Sequence, residues 1–231
     1  MDSLFAGIKL ADTHEDLYRN IVSLRVTEHL FDDLSNNPQD WQTAIELELQ
    51  TQPASYASST PIIHRPFEEA AWQEAIGFPF RAWSRSRYSD GSYGVWYGSD
   101  TLETTIYETV YHWRNSLLAD AGFTDPGIKI ERRVHQVRCD AALIDLRKLV
   151  KQHPKIIDAA DYVFTQQIGA RLHREGHPGL VTKSARCTGE VYAIFNPAVL
   201  SNPRPSCYLT YITTKQGVEV ERTPGKLLLS I

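Results

Sequence analysis

Glu108 and His112 stand four residues apart, so on a helix they share one face, one turn apart. Thr104 and Thr105 lie a turn earlier. Such a pair alone is equally a surface or packing feature. HExxH is absent, and no neighbouring His, Asp or Glu completes a zinc set, so the expectation for a metal is none. Just upstream, Arg81, Arg85, Arg87, Tyr88, Tyr93, Trp96 and Tyr97 crowd into seventeen residues. Arginines beside a glycine turn and aromatics suit a phosphate and a planar ring, through forked hydrogen bonds and stacking. The plainer alternative is a strand-edge arginine with core aromatics. A third group is Thr182-Lys183-Ser184-Ala185-Arg186, a hydroxyl flanked by cations, fit for an anion- or ribose-binding loop or for a simple turn. No GxSxG surrounds Ser184, which excludes a hydrolase elbow.

The elements that must position these groups are legible by period. Leu17, Ile21, Leu24, Leu30, Phe31 and Leu34 recur at helical spacing, which predicts an amphipathic N-terminal helix. Asn37-Pro38 breaks it, and Trp41, Ile45 and Leu47 predict a shorter second helix. The polar stretch from Gln52 to Pro61 reads as a connector, so residues 1–60 form a helical extension and 61–231 the catalytic domain. A short helix is expected near Glu68–Ile76, a turn at Ser89-Asp90-Gly91-Ser92, and an extended stretch ending at Tyr97. Asp100 with Glu103 can form a capping box for a helix whose stripe is Leu102, Ile106, Val110, Trp113 and Leu117, ended by Gly122. Residues 130–139 and 141–146 read as two strands, Asp158 to His173 as a helix ended by Gly176. The tail reads as strands, with Lys215-Gln216-Gly217 as a hairpin turn. Helices mixed with antiparallel strands argue α+β, and neither GxGxxG nor GxxxxGK[ST] is present.

Composition narrows the partners. Lys and Arg number 24 against 28 Asp and Glu, a formal net charge of -4 that gives no general pull toward nucleic acid. Cys139, Cys187 and Cys207 lack CxxC spacing and read as incidental thiols of a reduced compartment. No apolar run approaches the roughly 20 residues of a membrane span, and no secretion signal opens the chain, so a cytoplasmic location is expected.

In order and spacing, Arg87-Tyr88, Gly94, Val95-Trp96-Tyr97, Glu108 and His112, then Ser184-Ala185-Arg186, Gly189 and the apolar run from Val191 to Pro197, resemble the motifs of the RES family of bacterial toxins. The resemblance spans about residues 62–215. Tyr88 stands where tryptophan or phenylalanine often follows the arginine, and Ser89-Asp90 replaces the usual polar pair, which bears on substrate detail. The resemblance implies an ADP-ribosyltransferase-like fold, a split mixed β-sheet with helices around an NAD⁺ cleft. It implies breakage of the nicotinamide–ribose bond by hydrolysis or phosphorolysis, with NAD⁺ as substrate and inorganic phosphate as a candidate co-substrate. A protein-directed mono-ADP-ribosyltransferase and a non-enzymatic partner-binding protein are the alternatives. The implied partners are a helix-turn-helix antitoxin that blocks the cleft and a second copy of the chain. Glu108 would stabilise the ribosyl cation, Arg87 hold the pyrophosphate with Arg81 or Arg186 as substitutes, and Tyr97 pack beside the nicotinamide-ribose. Ser184 would hydrogen-bond the ribose or carboxamide and steady Glu108. His112 would orient Glu108 or contact phosphate.

Overall fold

Residues Lys129–Asp145 form the longest strand, β3, and organise everything else. The structure is a computed structural model that describes residues 2–5, 7–23, 72–118, 122 and 126–231. Along one edge β3 carries β1 (Lys9–Val22), antiparallel in unbroken register from Lys9↔Asp145 to Val22↔Arg132. This corrects the helical reading at Leu17 and Ile21; Leu24, Leu30, Phe31 and Leu34 lie outside the described residues. Leu17 and Ile21 have helical spacing, but fourteen consecutive backbone pairs with β3 override that weak local preference. The second expected helix, around Trp41 to Leu47, and the connector from Gln52 to Pro61 lie outside the described residues.

The other edge of β3 is divided. Its first part pairs antiparallel with β6 (Leu200–Thr213), and its last two residues pair parallel with β4 (Gly179–Lys183). β4 continues to β5 (Glu190–Ile194) and β5 to β2 (Trp96–Ser99), both antiparallel. β2 meets β1 again at one pair, Tyr18↔Ser99, so five strands close a circuit. β7 (Val218–Thr223) and β8 (Lys226–Ser230) extend the sheet beyond β6. The sheet is therefore mixed, and the fold α+β as the patterns predicted. β3 is continuous where two strands were expected, since β1 pairs with it without a break through Asp140, where the β6 pairing has already ended at Cys139.

Helix α1 (Asp2–Phe5) is one turn. The helix expected near residues 68–76 appears as a π-helical turn, Gln73–Gly77, running into α2 (Phe78–Arg81). Trp96 fixes it by donating from its indole to Ala75 O. α3 (Leu102–His112) starts one residue later than its predicted cap. Asp100 N–H is still bonded to Glu190 O, and Thr101 Oγ1 instead accepts from Thr104 N–H. Ile106, Val110 and Trp113 pack against Val134, Leu209, Tyr211 and Val220, joining the helix to β3, β6 and β7. Beyond His112 the helix loosens into a π-helical stretch, Trp113–Leu118.

α4 (Val163–Arg174) also begins late. Asp158 caps, but it caps a turn: its carboxylate accepts from Ala160 and Asp161 N–H, and Asp161 then accepts from Val163 N–H. Residues 156–162 thereby become a strap rather than a first helical turn. Gly169 of α4 lies so close to Tyr88 O that a Cβ there would stand 2.0 Å away, so only glycine lets α4 seat the Arg87-Tyr88 turn. Among the described residues, no helix is long and apolar enough to cross a membrane.

Candidate functional site

β1 and β2 separate after Tyr18↔Ser99, and α3 and the strap close over the gap. The result is a cavity of about 510 Å³, within the usual size of a small-molecule site. Glu108, His112, Arg87 and Tyr97 line it, together with Arg19, Asn20, Arg85, Tyr162 and Lys183. Among the described lining residues, Glu108 is the one carboxylate beside four cationic side chains, in a chain whose net charge is negative. The cavity therefore favours an anionic ligand with a local positive charge near Glu108.

Glu108 is held from behind. Ser184 Oγ donates to its Oε1 at 2.5 Å, and itself accepts from Arg186 N–H at 2.9 Å and Cys187 N–H at 3.2 Å. Ser184 is buried and does not line the cavity, so it positions Glu108 rather than touching a ligand. The β4–β5 loop reaches α3 because Gly189 has no side chain: a Cβ would meet Thr104 Oγ1 at 1.9 Å. Thr104 thus serves packing and the helix start, whereas Thr105 lines the cavity.

Arg87 and Arg186 grip the strap. Arg87 Nη1 donates to Asp158 O at 2.8 Å and Ile156 O at 3.4 Å, with its guanidinium 4.4 Å from the Tyr162 ring centre. Its Nη2 is buried without a hydrogen-bond partner, and Arg87 lines the cavity. Arg186 donates to Ala159 O, as does Tyr111 Oη at 3.0 Å, and the Arg186 guanidinium lies over the Tyr111 ring. Arg186 therefore braces the rim and is absent from the lining. Arg81 is exposed on α2 and does not line the cavity either, which removes it as a substitute for Arg87.

Tyr97 lines the cavity, but its hydroxyl is engaged: it donates to Ser86 Oγ and accepts from Tyr88 N–H, both at 3.0 Å. Burial pushes its pKa up to about 12, so it stays a neutral phenol. What it offers a ligand is a ring face and a fixed Ser86–Tyr88 turn. His112 is surface-accessible and lines the cavity, yet its pKa is lowered, first by desolvation against its crowded surroundings. Glu108 opposes that shift, while Arg186, Arg87 and Arg132 reinforce it. At neutral pH the ring is uncharged.

Sequence patterns missed Arg19. Its Nη1 donates to Tyr97 O at 2.9 Å, while its Nε is buried without a partner. Burial first, and then Arg132, lower its pKa to about 10, which leaves it charged at neutral pH. No spacing marks this residue, because its strand resembles a helix in sequence and its neighbours come from distant segments. Among the described residues no group of three or more His, Cys, Asp or Glu could hold a metal. Cys139 is buried, and Cys187 and Cys207 are partly so, all as free thiols.

Residues 62–214 match the model of the RES domain, two thirds of the chain. The chain belongs to the RES domain family. Among curated proteins no relative matches. Among solved structures, the crystal structure of the M. tuberculosis MbcT–MbcA toxin–antitoxin complex is similar over 90% of each chain, with TM-score 0.49 and 11% identity. The RES match includes Arg87, Tyr97, Glu108, His112 and Ser184, but it leaves out β1 and hence Arg19 and Asn20. The RES cavity of this protein is thus finished by a strand that lies outside the matched region.

Proposed function

We propose that this RES protein binds NAD⁺ in the cavity and breaks the bond between nicotinamide and ribose. The observation that carries the reading is Glu108: a carboxylate, fixed at 2.5 Å by Ser184, in a cavity whose other charged lining residues among those described are Arg19, Arg85, Arg87 and Lys183. When the C1′–N1 bond breaks, its electron pair goes to the pyridinium nitrogen and neutral nicotinamide leaves. The ribosyl carbon becomes oxocarbenium-like, and Glu108 stabilises that charge. Water or a phosphate oxygen then bonds to C1′, and where water is the nucleophile its proton passes to the Glu108 carboxylate and on to solvent.

Arg87 Nη2 and Arg19 Nε, both buried and unpartnered, are the donors for the diphosphate. Tyr97 supplies a ring face beside the nicotinamide-ribose. His112, uncharged at neutral pH, orients Glu108 or receives the incoming phosphate. The division of the β3 edge between β4 and β6 supports an ADP-ribosyltransferase-like split sheet. Family membership supports the wider reading: a toxin acting as a homodimer in the cytoplasm, depleting NAD⁺ unless a helix-turn-helix antitoxin blocks the cleft.

The test is a product assay on purified protein with NAD⁺, with and without inorganic phosphate, beside Glu108→Gln. Release of nicotinamide with ADP-ribose identifies hydrolysis, and phosphate-dependent ADP-ribose-1″-phosphate identifies phosphorolysis. Glu108→Gln should lower turnover about 100-fold or more, because it removes the charge and keeps the shape. Turnover near wild type in that variant overturns the role of Glu108. Label on a protein target in place of small-molecule products identifies a transferase.

A further inference from the structure

Behind the cavity wall lies a buried cation that the proposed reaction does not use. Arg132 is 6% exposed. Its Nε donates to Asn20 Oδ1 and its Nη2 to Asn20 O, each at 2.9 Å, and its guanidinium lies 5.8 Å from the Tyr211 ring centre. Asn20 in turn donates to Tyr211 Oη at 2.8 Å and Thr109 Oγ1 at 3.2 Å. Tyr211 Oη and Thr109 Oγ1 are 2.9 Å apart, and Thr109 donates to Thr105 O at 2.7 Å.

Every partner in this network is neutral. The hydrogen bonds of Arg132 are met, but no carboxylate among the described residues pairs with its charge. A buried charge without a counter-ion is costly, and apolar replacements of buried ionic groups are often better tolerated. Two members of the network, Asn20 and Thr109, line the cavity. The charge also acts on groups there: Arg132 contributes to the lowered pKa of Arg19 and of His112. Among the described residues nothing offsets Arg132, and an anion in the cavity would do so through the Asn20–Thr109 wall.

We propose that Arg132 is a specificity-determining residue of this cavity, acting through Asn20 to select ligands that carry phosphate. The inference rests on the nucleotide reading of the cavity and deepens it: the site discriminates a nucleotide from a nucleoside or free base by a cation that never touches the ligand. Arg19 and Arg87 supply contacts, whereas Arg132 supplies field, which a low-dielectric wall screens little.

The experiment is calorimetry of ADP-ribose and of nicotinamide on the full chain, as wild type, Arg132→Gln and Arg132→Lys. Glutamine keeps a donor for Asn20 and removes the charge, while lysine keeps the charge and loses the fork. Arg132→Gln should weaken ADP-ribose about tenfold and leave nicotinamide unchanged. Arg132→Lys should stay within about threefold of wild type for both. Arg132→Met serves as a second neutral variant and should match glutamine. Equal weakening of ADP-ribose by lysine and glutamine, or equal loss of both ligands, reduces Arg132 to a structural part and overturns the inference. Unchanged ADP-ribose affinity in Arg132→Gln also overturns it, and leaves NAD⁺ as the substrate. Wild-type protein that binds nicotinamide but not ADP-ribose overturns the nucleotide reading as well.

Discussion

The two walls of the cavity are built on different principles. On the α3 side, side chains bond to side chains across elements that the sheet already fixes: Ser184 to Glu108, Arg132 to Asn20, Asn20 to Tyr211 and Thr109. On the strap side, Arg87, Arg186 and Tyr111 donate to backbone carbonyls of Ile156, Asp158 and Ala159, where a short 3-10 helix, Pro154–Ile157, gives way to irregular chain. The first wall satisfies its polar groups among themselves and has few alternatives. In the second, Arg87 lines the cavity, where a phosphate would compete with its carbonyl partners, since guanidinium bonds to an anion are stronger than those to a neutral carbonyl. On the proposed function, the first wall would fix the reacting geometry, and Arg87 on the second would exchange partners as ligand arrives.

The sharpest way to break this comparison is Ser184→Ala. It strips Glu108 of its close donor and leaves the Arg186 and Cys187 N–H groups without their acceptor. A positioning wall predicts that kcat for NAD⁺ falls about 10- to 100-fold while KM moves less than about threefold. Steady-state kinetics with phosphate held constant checks it. A KM rise as large as the kcat loss would place Ser184 in ligand binding instead.

Arg87→Ala should have the next largest effect, and a different signature. The variant loses both the strap's donor and the candidate phosphate ligand, so KM rises about tenfold with a smaller change in kcat. Hydrogen exchange at residues 156–162 should accelerate in the same variant, because three contacts hold that stretch and one has gone. Exchange in α3 should stay at the wild-type rate. Equal acceleration in α3 would mean that the walls are one unit.

How far each wall was legible follows from the distance of its partners. Glu108 and the face of α3 were readable because Leu102, Ile106 and Val110 mark the period, although the cap fell on Thr101 rather than on the expected Asp100. Ser184 was readable as a turn hydroxyl, and the Arg87-Tyr88 turn by its glycines and aromatics. Arg19 and Asn20 were not, for Leu17 and Ile21 mimic a helix and the strand exists only through β3, with Arg132 112 residues from Asn20. Arg132 sits in an ordinary strand pattern, so nothing local sets it apart from Arg133, which pairs with Glu74 on the opposite face of the sheet. The strap was misread as helix because Asp158 is a good cap in either structure, and only Arg87 and Arg186, which pin the carbonyls from outside, decide for the turn.

The smallest effect measures both walls with one probe. His112 lies between them, and the same arginines that hold the strap or back the network depress its pKa below the ordinary 6.5, in the order Arg186, Arg87, Arg132, after burial itself. The linkage has a definite sign. Above pH 6.5 the ring is neutral in folded and unfolded chains alike and stability does not depend on it; as pH falls below 6.5 the unfolded chain takes up the proton first, so this group's contribution to stability is lost. Proton NMR of the imidazole in wild type, Arg186→Ala and Arg132→Gln reads the walls separately. Each variant should raise the His112 pKa, Arg186→Ala by more, since its charge stands nearer on the rim. A larger rise in Arg132→Gln would mean that the network behind Asn20, not the strap, dominates the field that a ligand meets at Glu108.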